Sequence, residues 1–217
     1  MSISSSVIRD LREKTGAGMM DCKKALTETA GDFEKAVDFL RKKGLAAVQK
    51  KQSRIASEGT IGSYVHDGKI GVLVEVNCET DFVARNSDFQ LFVKDLALHI
   101  AAASPMYVAA DEIDEAFKKR EAEIYAAQLR EQGKPEQMIE KIVEGKIKKL
   151  AEDVCLLEQK FVKDQNKTIK EYLQETTLKL GEKIDIRRFV KFNLGDGIEK
   201  KQDNLSDEVA KLTSGTH

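Results

Sequence analysis

The sequence of 217 residues contains no tryptophan, two prolines, three cysteines and three histidines, and 6% of its residues are aromatic. Cys22, Cys78 and Cys155 lie far apart without a CxxC pair, which argues against a disulfide framework or a zinc site and indicates buried free thiols. No apolar run approaches the ~20 residues of a membrane span, and the N-terminus lacks the apolar segment of a secretory signal. We therefore expect a soluble, cytoplasmic protein without membrane contacts.

An excess of charge of one sign is lacking as well, because 36 lysines and arginines stand against 37 aspartates and glutamates. The chain as a whole would therefore generate no field that attracts nucleic acid. Basic residues are frequent in 41–54 and in 146–149. We interpret them as solvated helix faces and expect no direct nucleic-acid binding; the alternative is a nucleic-acid-binding adaptor whose binding weakens with salt.

The motifs of nucleotide-binding enzymes and hydrolases are also absent. The string closest to a Walker A loop, 62–69, has one residue too many, and Ile70 stands where the magnesium-binding hydroxyl belongs. No GxGxxG, GxSxG or HExxH pattern occurs. His99 fits a packed or surface position on an amphipathic helix, whereas His66, at a predicted turn, is either a plain turn residue or a partner contact. We predict no catalytic residue, no metal site and no cofactor, so the protein is not expected to be an enzyme.

Residues 1–45 have a helical period with start and stop signals for three short helices. Helices of this size bury little surface, which is typical of a small interaction module rather than a catalytic domain. Residues 46–57 are rich in alanine and lysine and are predicted to form a linker helix. The signals are Ser4 to Ser6 and Thr15-Gly16 for the first helix, Met19 and Thr29 for the second, and Asp32 and Gly44 for the third.

Residues 58–200 are predicted to form an α+β core with a short antiparallel sheet, because hairpin strands and helices are segregated along the chain. Asp67-Gly68 is a hairpin turn signal between strand-like segments around Ile61 and over 70–76. Residues 201–217 form a predicted tail with a short helix at 206–212. The other predicted elements are a helix from Asn86-Ser87 to before Pro105, helices at about 111–132 and 135–153, a helix opened by a capping box of Thr168 and Glu171, and a strand at 184–192.

The string Thr80-Asp81-Phe82-Val83 follows the second strand directly. Asp81 could cap a helix there, and Phe82 could pack in the core. Because Asn86-Ser87 already supplies a helix cap, the alternative places Asp81 and Phe82 in the connection between the second strand and the helix that begins at Asn86-Ser87. A carboxylate beside a large apolar ring would then suit a wedge that enters a crevice of a partner and disturbs a bound cation.

The string TGAGMMDCKKAL (15–26) places two glycines in a tight turn and two adjacent methionines at the start of the second helix. Side chains of neighbouring residues on a helix point in different directions, so Met19 and Met20 cannot both enter one small core. One of them is expected to be exposed as a soft contact surface. The alternative is that both pack within the module.

Together, TGAGMMDCKKAL (15–26) and NCETDFVARN (77–86) resemble the elongation factor Ts family. The resemblance continues in order along nearly the whole chain. Further strings that carry it are GSYVH (62–66), HIAAASP (99–105), KIVEGKIKKLAED (141–153), IRRFVKF (186–192) and GDGIEK (195–200).

This resemblance implies a guanine-nucleotide exchange factor that binds elongation factor Tu·GDP, displaces Mg²⁺ and promotes GDP release in translation elongation. The element linked to Mg²⁺ displacement is then Thr80, Asp81, Phe82 and Val83. The three-helix module is similar to ubiquitin-associated domains and is expected to contact the nucleotide domain of the GTPase, while the core and the C-terminal tail contact it elsewhere. The partner-binding residues expected in the module are Arg12, Met19, Met20 and Lys23, with His66 as a further contact at the turn.

Longer members of the family resemble two copies of the half-core with a coiled-coil insertion, whereas this chain has one copy. A single half-core would expose sheet or helix surface, so we expect a homodimer in which 58–200 is the dimerisation domain. The apolar stripes of the long helices, 111–132 and 135–153, either pack against each other within one chain or form the two-fold interface.

Overall fold

The N-terminal part of the molecule is a three-helix module, as predicted. A computed structural model describes residues 3–198, and α1 (Ser5–Thr15), α2 (Met19–Glu28) and α3 (Phe33–Lys51) pack there around a small core. Side-chain caps start two of them, because the Ser4 hydroxyl accepts from Val7 N and the Asp32 carboxylate accepts from Lys35 N. The fully buried residues of this module are Leu11, Cys22, Ala25, Leu26 and Ala36.

The predicted end of the third helix at Gly44 is wrong, because α3 continues through this residue to Lys51. Gly44 is buried, and a Cβ atom built on it would lie 2.7 Å from Leu178 Cδ1. The glycine therefore permits close packing of α3 on a later helix and does not terminate its own. Of the segment predicted as a linker helix, 46–57, residues 46–51 form the last turns of α3 and residues 52–57 are not helical. The division of the chain between 45 and 46 stays a prediction.

The core is built on a three-stranded antiparallel sheet, which confirms the predicted α+β class. The strands lie in the order β1 (Glu58–His66), β2 (Ile70–Cys78), β5 (Ile184–Asn193). Asp67-Gly68 joins the first two with φ of 48° and 64°, as a type I′ turn requires. The elements of this region are β1 (Glu58–His66), β2 (Ile70–Cys78), α4 (Asp81–Ala84), α5 (Ser87–Ala103), α6 (Glu115–Glu131), α7 (Glu136–Val154), β3 (Lys160–Phe161), β4 (Asp164–Thr168), α8 (Ile169–Leu180) and β5 (Ile184–Asn193).

One face of the sheet is covered by α5. Gly62 lets this helix approach β1, because a Cβ atom at that position would collide with Val93 Cγ1. The predicted capping box of Thr168 and Glu171 is present and starts α8, which completes the core together with the short β3–β4 hairpin. That hairpin was not predicted. The largest fully buried side chains of this core are Phe89, Phe92, Leu96, Ile100, Leu156 and Ile169.

The long helices α6 and α7 pack against each other within one chain. Leu129, Ile139 and Leu150 are buried along their contact. The predicted start of the first helix at Asp111 is wrong, because a 3-10 turn at Ala110–Glu112 precedes it and Asp114 is its cap, accepting from Ala116 N at 3.0 Å.

A bulge in the β2–β5 pairing gives the sheet an apolar outer face. Ile186 pairs with Val76 whereas Arg188 pairs with Glu75, so one extra residue lies between them on β5. The alternation along β5 changes phase there, so Ile184 and Ile186 face inward before the bulge and Val190 and Phe192 face outward after it. We call Ile61, Val65, Leu73, Val190 and Phe192, all exposed, the outer sheet face.

No helix within residues 3–198 is both long enough and apolar enough to span a bilayer. The predicted tail helix at 206–212 lies outside the described residues.

Candidate functional site

The string Thr80 to Val83 forms the start of α4, a single helical turn between the sheet and α5. The Thr80 hydroxyl caps this turn by accepting a hydrogen bond from Val83 N at 3.4 Å. The expectation of a plain connection missed this turn. The alternative in which Asp81 caps a helix is also wrong, because the cap is the threonine one residue earlier.

Phe82 is not a core residue, because 84% of its surface is exposed. The same turn buries Ala84 and half-buries Val83 against the core, which fixes the side of α4 opposite the ring. Asp81 lies next to the ring and forms an i,i+4 ion pair with Arg85 at 3.1 Å. The turn thus presents an apolar ring and a carboxylate together on the surface.

Hydrogen bonds from a distant part of the chain hold the base of α4. The Glu182 carboxylate accepts from the backbone N–H groups of Glu79 and Thr80, at 3.1 and 3.0 Å. In return, the Glu79 carboxylate accepts from Lys183 N at 2.6 Å and pairs with Arg54 at 3.2 Å. The bond from Lys183 N–H, helped by Arg54, holds the pKa of the Glu79 carboxyl below its usual value.

Sequence reasoning missed this group of residues. Glu79 and Glu182 lie at the ends of two strands that pair only in the folded protein. Each carboxylate satisfies backbone donors of the other segment, so neither has a local partner that a sequence pattern could reveal.

The four residues expected to bind a partner through the N-terminal module are all exposed. Arg12 lies on α1, and Met19, Met20 and Lys23 lie on α2. Met20 is 76% exposed and Met19 is 43% exposed, so the alternative in which both pack internally is wrong. The module contacts the core through α3 and α8, where Arg41 pairs with Glu171.

His66 ends β1 and is exposed at the hairpin turn. Its Nδ1 atom lies 3.1 Å from the Tyr64 hydroxyl, and the two rings stack with centroids 6.1 Å apart. Its Nε2 atom lies 3.9 Å from Asp67 Oδ2. These local contacts fit a plain turn residue, and they leave an edge of the ring open for a partner.

The chemistry of the cysteines and of His99 is that of packed residues. All three cysteines are buried and free, and burial raises the pKa of Cys78 and of Cys155 to about 11, which disfavours a reactive thiolate. His99 is fully buried and lies 3.0 Å from Gln159 Oε1. Among residues 3–198, no group of three histidine, cysteine or acidic side chains could hold a metal ion.

Comparison with known proteins gives one consistent family. The family described as Elongation factor TS matches residues 34–196. Elongation factor Ts of Geotalea daltonii is 62% identical over 211 residues, which cover 97% of this chain and 98% of that protein. The proteins of the same name from Geobacter metallireducens and Alkaliphilus metalliredigens are 61% and 57% identical over the same shares of both chains. The chain therefore belongs to the elongation factor Ts family.

Proposed function

We propose that this chain is a guanine-nucleotide exchange factor that binds elongation factor Tu in its GDP-bound state, displaces Mg²⁺ and promotes GDP release. Membership of the elongation factor Ts family supports a role in translation elongation, and hence in the cytoplasm. The observation that carries the proposal is the exposed Phe82 ring beside the Asp81 carboxylate on a turn with a fixed backbone. Such a pair suits insertion into a crevice of a folded partner.

The physical chemistry of the bound nucleotide fits this role. In GTPases, GDP is held by phosphate contacts and by the Mg²⁺ that bridges to them. Mg²⁺ requires near-ideal octahedral geometry, so a ring that moves the ligands of the ion by a small distance weakens the binding of both the ion and the nucleotide. Linkage requires that GDP weaken binding of the factor by the same ratio. The factor breaks no covalent bond, so it requires no nucleophile and no general base of its own.

The N-terminal module supports the proposal as a second contact surface. Met20, the most exposed of its apolar residues, lies between the basic residues Arg12 and Lys23 in sequence, and all three are exposed. A flexible thioether side chain adapts to an irregular partner surface. We assign this surface to the nucleotide domain of the GTPase, and His66 to a minor contact.

The test is GDP release from purified elongation factor Tu loaded with a fluorescent GDP. Phe82→Ala is expected to lower the rate at a given factor concentration by about tenfold or more, because truncation of a central aromatic contact typically costs about 2 kcal/mol. Asp81→Ala should slow release as well. Leu91→Ala is the matched control, because Leu91 is also exposed but lies on α5. Normal release by Phe82→Ala would contradict the proposal.

The basic residues of α3 and of the segment that follows it do not favour the alternative of a nucleic-acid adaptor. Arg41 pairs with Glu171, Lys43 pairs with Asp21 at 2.6 Å, and Arg54 pairs with Glu79. Paired charges contribute less to a phosphate-binding surface than free ones. We therefore propose no direct nucleic-acid contact, and salt-sensitive retention of RNA by the purified protein would contradict this part.

We further propose that the protein is a homodimer joined through its outer sheet face. This face exposes five apolar side chains side by side, and α6 and α7 already cover each other within one chain. A two-fold axis through the face would let each copy cover the same residues of the other. Arg188 and Glu75 lie beside these residues with opposite charges, which suits a self-complementary contact.

Light scattering at micromolar concentration checks the assembly. The expected mass is about twice the 24.2 kDa of the chain. Leu73→Glu should yield monomers, whereas Ile124→Glu, an exposed position on α6, should leave the dimer intact. A dimer that persists in Leu73→Glu but not in Ile124→Glu would place the interface on α6 and α7 and not on the outer sheet face.

A further inference from the structure

We propose that Glu182 is a positioning residue for the exposed ring of Phe82, and that it acts through the hydroxyl of Thr80. This inference rests on the proposed exchange function, which it extends to a residue outside the turn. Glu182 lies between α8 and β5, directly after Gly181, which ends α8 in the left-handed conformation. The return of the chain towards the sheet brings its carboxylate under α4.

The carboxylate of Glu182 accepts three hydrogen bonds from the residues that precede α4. Oε2 accepts from Glu79 N at 3.1 Å and from Thr80 N at 3.0 Å, and Oε1 accepts from the Thr80 hydroxyl at 2.7 Å. Hydrogen bonds to an ionised acceptor are stronger than those between neutral groups. This end of the turn is therefore held by charge-assisted bonds and not by burial, because Thr80 is exposed.

The bond to the Thr80 hydroxyl also sets the direction of the helix cap. A hydroxyl has one hydrogen to donate and two lone pairs that accept. Because the hydrogen is donated to Glu182, a lone pair is left to accept from Val83 N at 3.4 Å. A helix of one turn has few internal hydrogen bonds, so its cap makes up a large part of what fixes its backbone.

The end of the turn that carries Phe82 has few restraints besides the bonds to Glu182. Ala84 and Val83 pack on the core, but both follow the phenylalanine. Before it stand Asp81, whose partner Arg85 is exposed, and Thr80, whose carbonyl oxygen accepts from Ala84 N within the turn and from the Cys78 thiol, both at 3.2 Å. Loss of the carboxylate would let this end move while the packed end stays in place.

The fold does not depend on Glu182 alone, because Glu79 makes the reciprocal contact. Its carboxylate accepts from Lys183 N at 2.6 Å, and the Lys183 amine donates to Arg54 O at 3.0 Å. These bonds keep the two chain segments together when residue 182 is replaced. We therefore expect Glu182→Ala to fold and to loosen α4 selectively.

The first measurement does not depend on a partner. Amide hydrogen exchange of Val83, followed by NMR, should accelerate by about tenfold in Glu182→Ala, equivalent to about 1.4 kcal/mol. Exchange of the buried residues of α5 should remain as in the wild type. Glu175→Ala is the matched control, since Glu175 lies on α8 and pairs with Lys167 away from the turn. Unchanged protection of Val83 in Glu182→Ala would overturn the inference.

The second measurement is GDP release at saturating factor. Glu182→Ala should lower the maximal rate by about tenfold and change the half-saturating concentration less than about twofold, because the other contact surfaces remain. Glu182→Gln should recover part of the rate, since its amide oxygen can still accept from the two backbone N–H groups. Glu175→Ala should match the wild type.

A double-mutant cycle separates positioning from a general effect on stability. With Phe82→Ala already present, Glu182→Ala should add less than a twofold loss, because no ring is left to position. Independent, multiplying losses would overturn the inference while the exchange function stands. If the wild-type protein does not accelerate GDP release from elongation factor Tu, the proposed function fails. Amide exchange alone then decides whether Glu182 holds the turn.

Discussion

The short helix α4 and the long helix α5 are neighbours in the chain and are held in place by different forces. Both begin with a side-chain cap, Thr80 in one and Asn86 in the other, and both carry a phenylalanine near the start. Phe89 in α5 is fully buried, whereas Phe82 in α4 is 84% exposed. The α5 ring therefore stabilises the core whereas the α4 ring faces solvent, so we expect that one can be altered without the other.

The variant with the largest expected effect, Phe89→Ala, tests whether α5 and not α4 stabilises the fold. Phe89→Ala should lower the free energy of unfolding by about 3–5 kcal/mol, because it removes a large side chain from a close-packed core. Phe82→Ala should leave that free energy almost unchanged, since its ring contacts mainly solvent. Denaturant unfolding followed by circular dichroism measures both. A comparable loss in the two variants would mean that Phe82 is a core residue after all.

Two glycines extend the comparison, Gly62 within the core and Gly44 at the interface of the module and the core. Gly62→Ala should cost about 1–3 kcal/mol, because the new methyl group meets Val93, which is buried and has no room to move. Gly44→Ala should cost less than about 1 kcal/mol, since Leu178 is half exposed and can turn aside and alanine favours the helix. Thermal melts of both variants give the ranking, and an equal or reversed order would contradict it.

We expect the pH dependence of stability to arise from His99, which lies on α5. Burial lowers the pKa of His99 below 6.5, so below that pH the unfolded chain takes up a proton that the folded protein does not. Stability should therefore fall by up to about 1.4 kcal/mol per pH unit as the pH drops from 6.5 to the pKa of the folded state. Unfolding titrations between pH 7.5 and 5 test this.

The control for this prediction is His99→Gln. The variant should be less stable at every pH, because His99 contacts Gln159 and accepts from Val162 N at 3.3 Å. Its stability should lose the slope between pH 6.5 and 5, since no imidazole remains to titrate. Retention of the full slope would assign the pH dependence to other groups.

Elements specified by local signals could be predicted from the sequence. The caps at Ser4, Asp32 and Asn86 and the Asp67-Gly68 turn are interactions within a few residues, and each appears where it was expected. The position of Phe82 outside α5 was predicted in the same way, from the cap at Asn86, whereas its role as a partner contact was implied by the resemblance to the elongation factor Ts family and stays a prediction.

Other features could not be predicted because they depend on contact between residues far apart in sequence. Gly44 was assigned to a helix end because its partner, Leu178, is invisible to local reasoning. The bulge at Arg188 depends on pairing with Glu75, and the position of Glu182 depends on the return of β5 to the sheet. Such features follow from the assembled fold and not from the pattern around each residue.

The helix α3 runs without a break from the module to the core and therefore sets the distance between them. Each residue of an α-helix adds about 1.5 Å of length and about 100° of rotation, so the number of residues in α3 sets both the spacing and the angle of the module. Packing of Gly44 on α8 fixes the part of α3 that lies against the core. Under the proposed function, a partner bound by both the module and the core would have to present its two surfaces at one matching distance and orientation, so the length of α3 would select among partners.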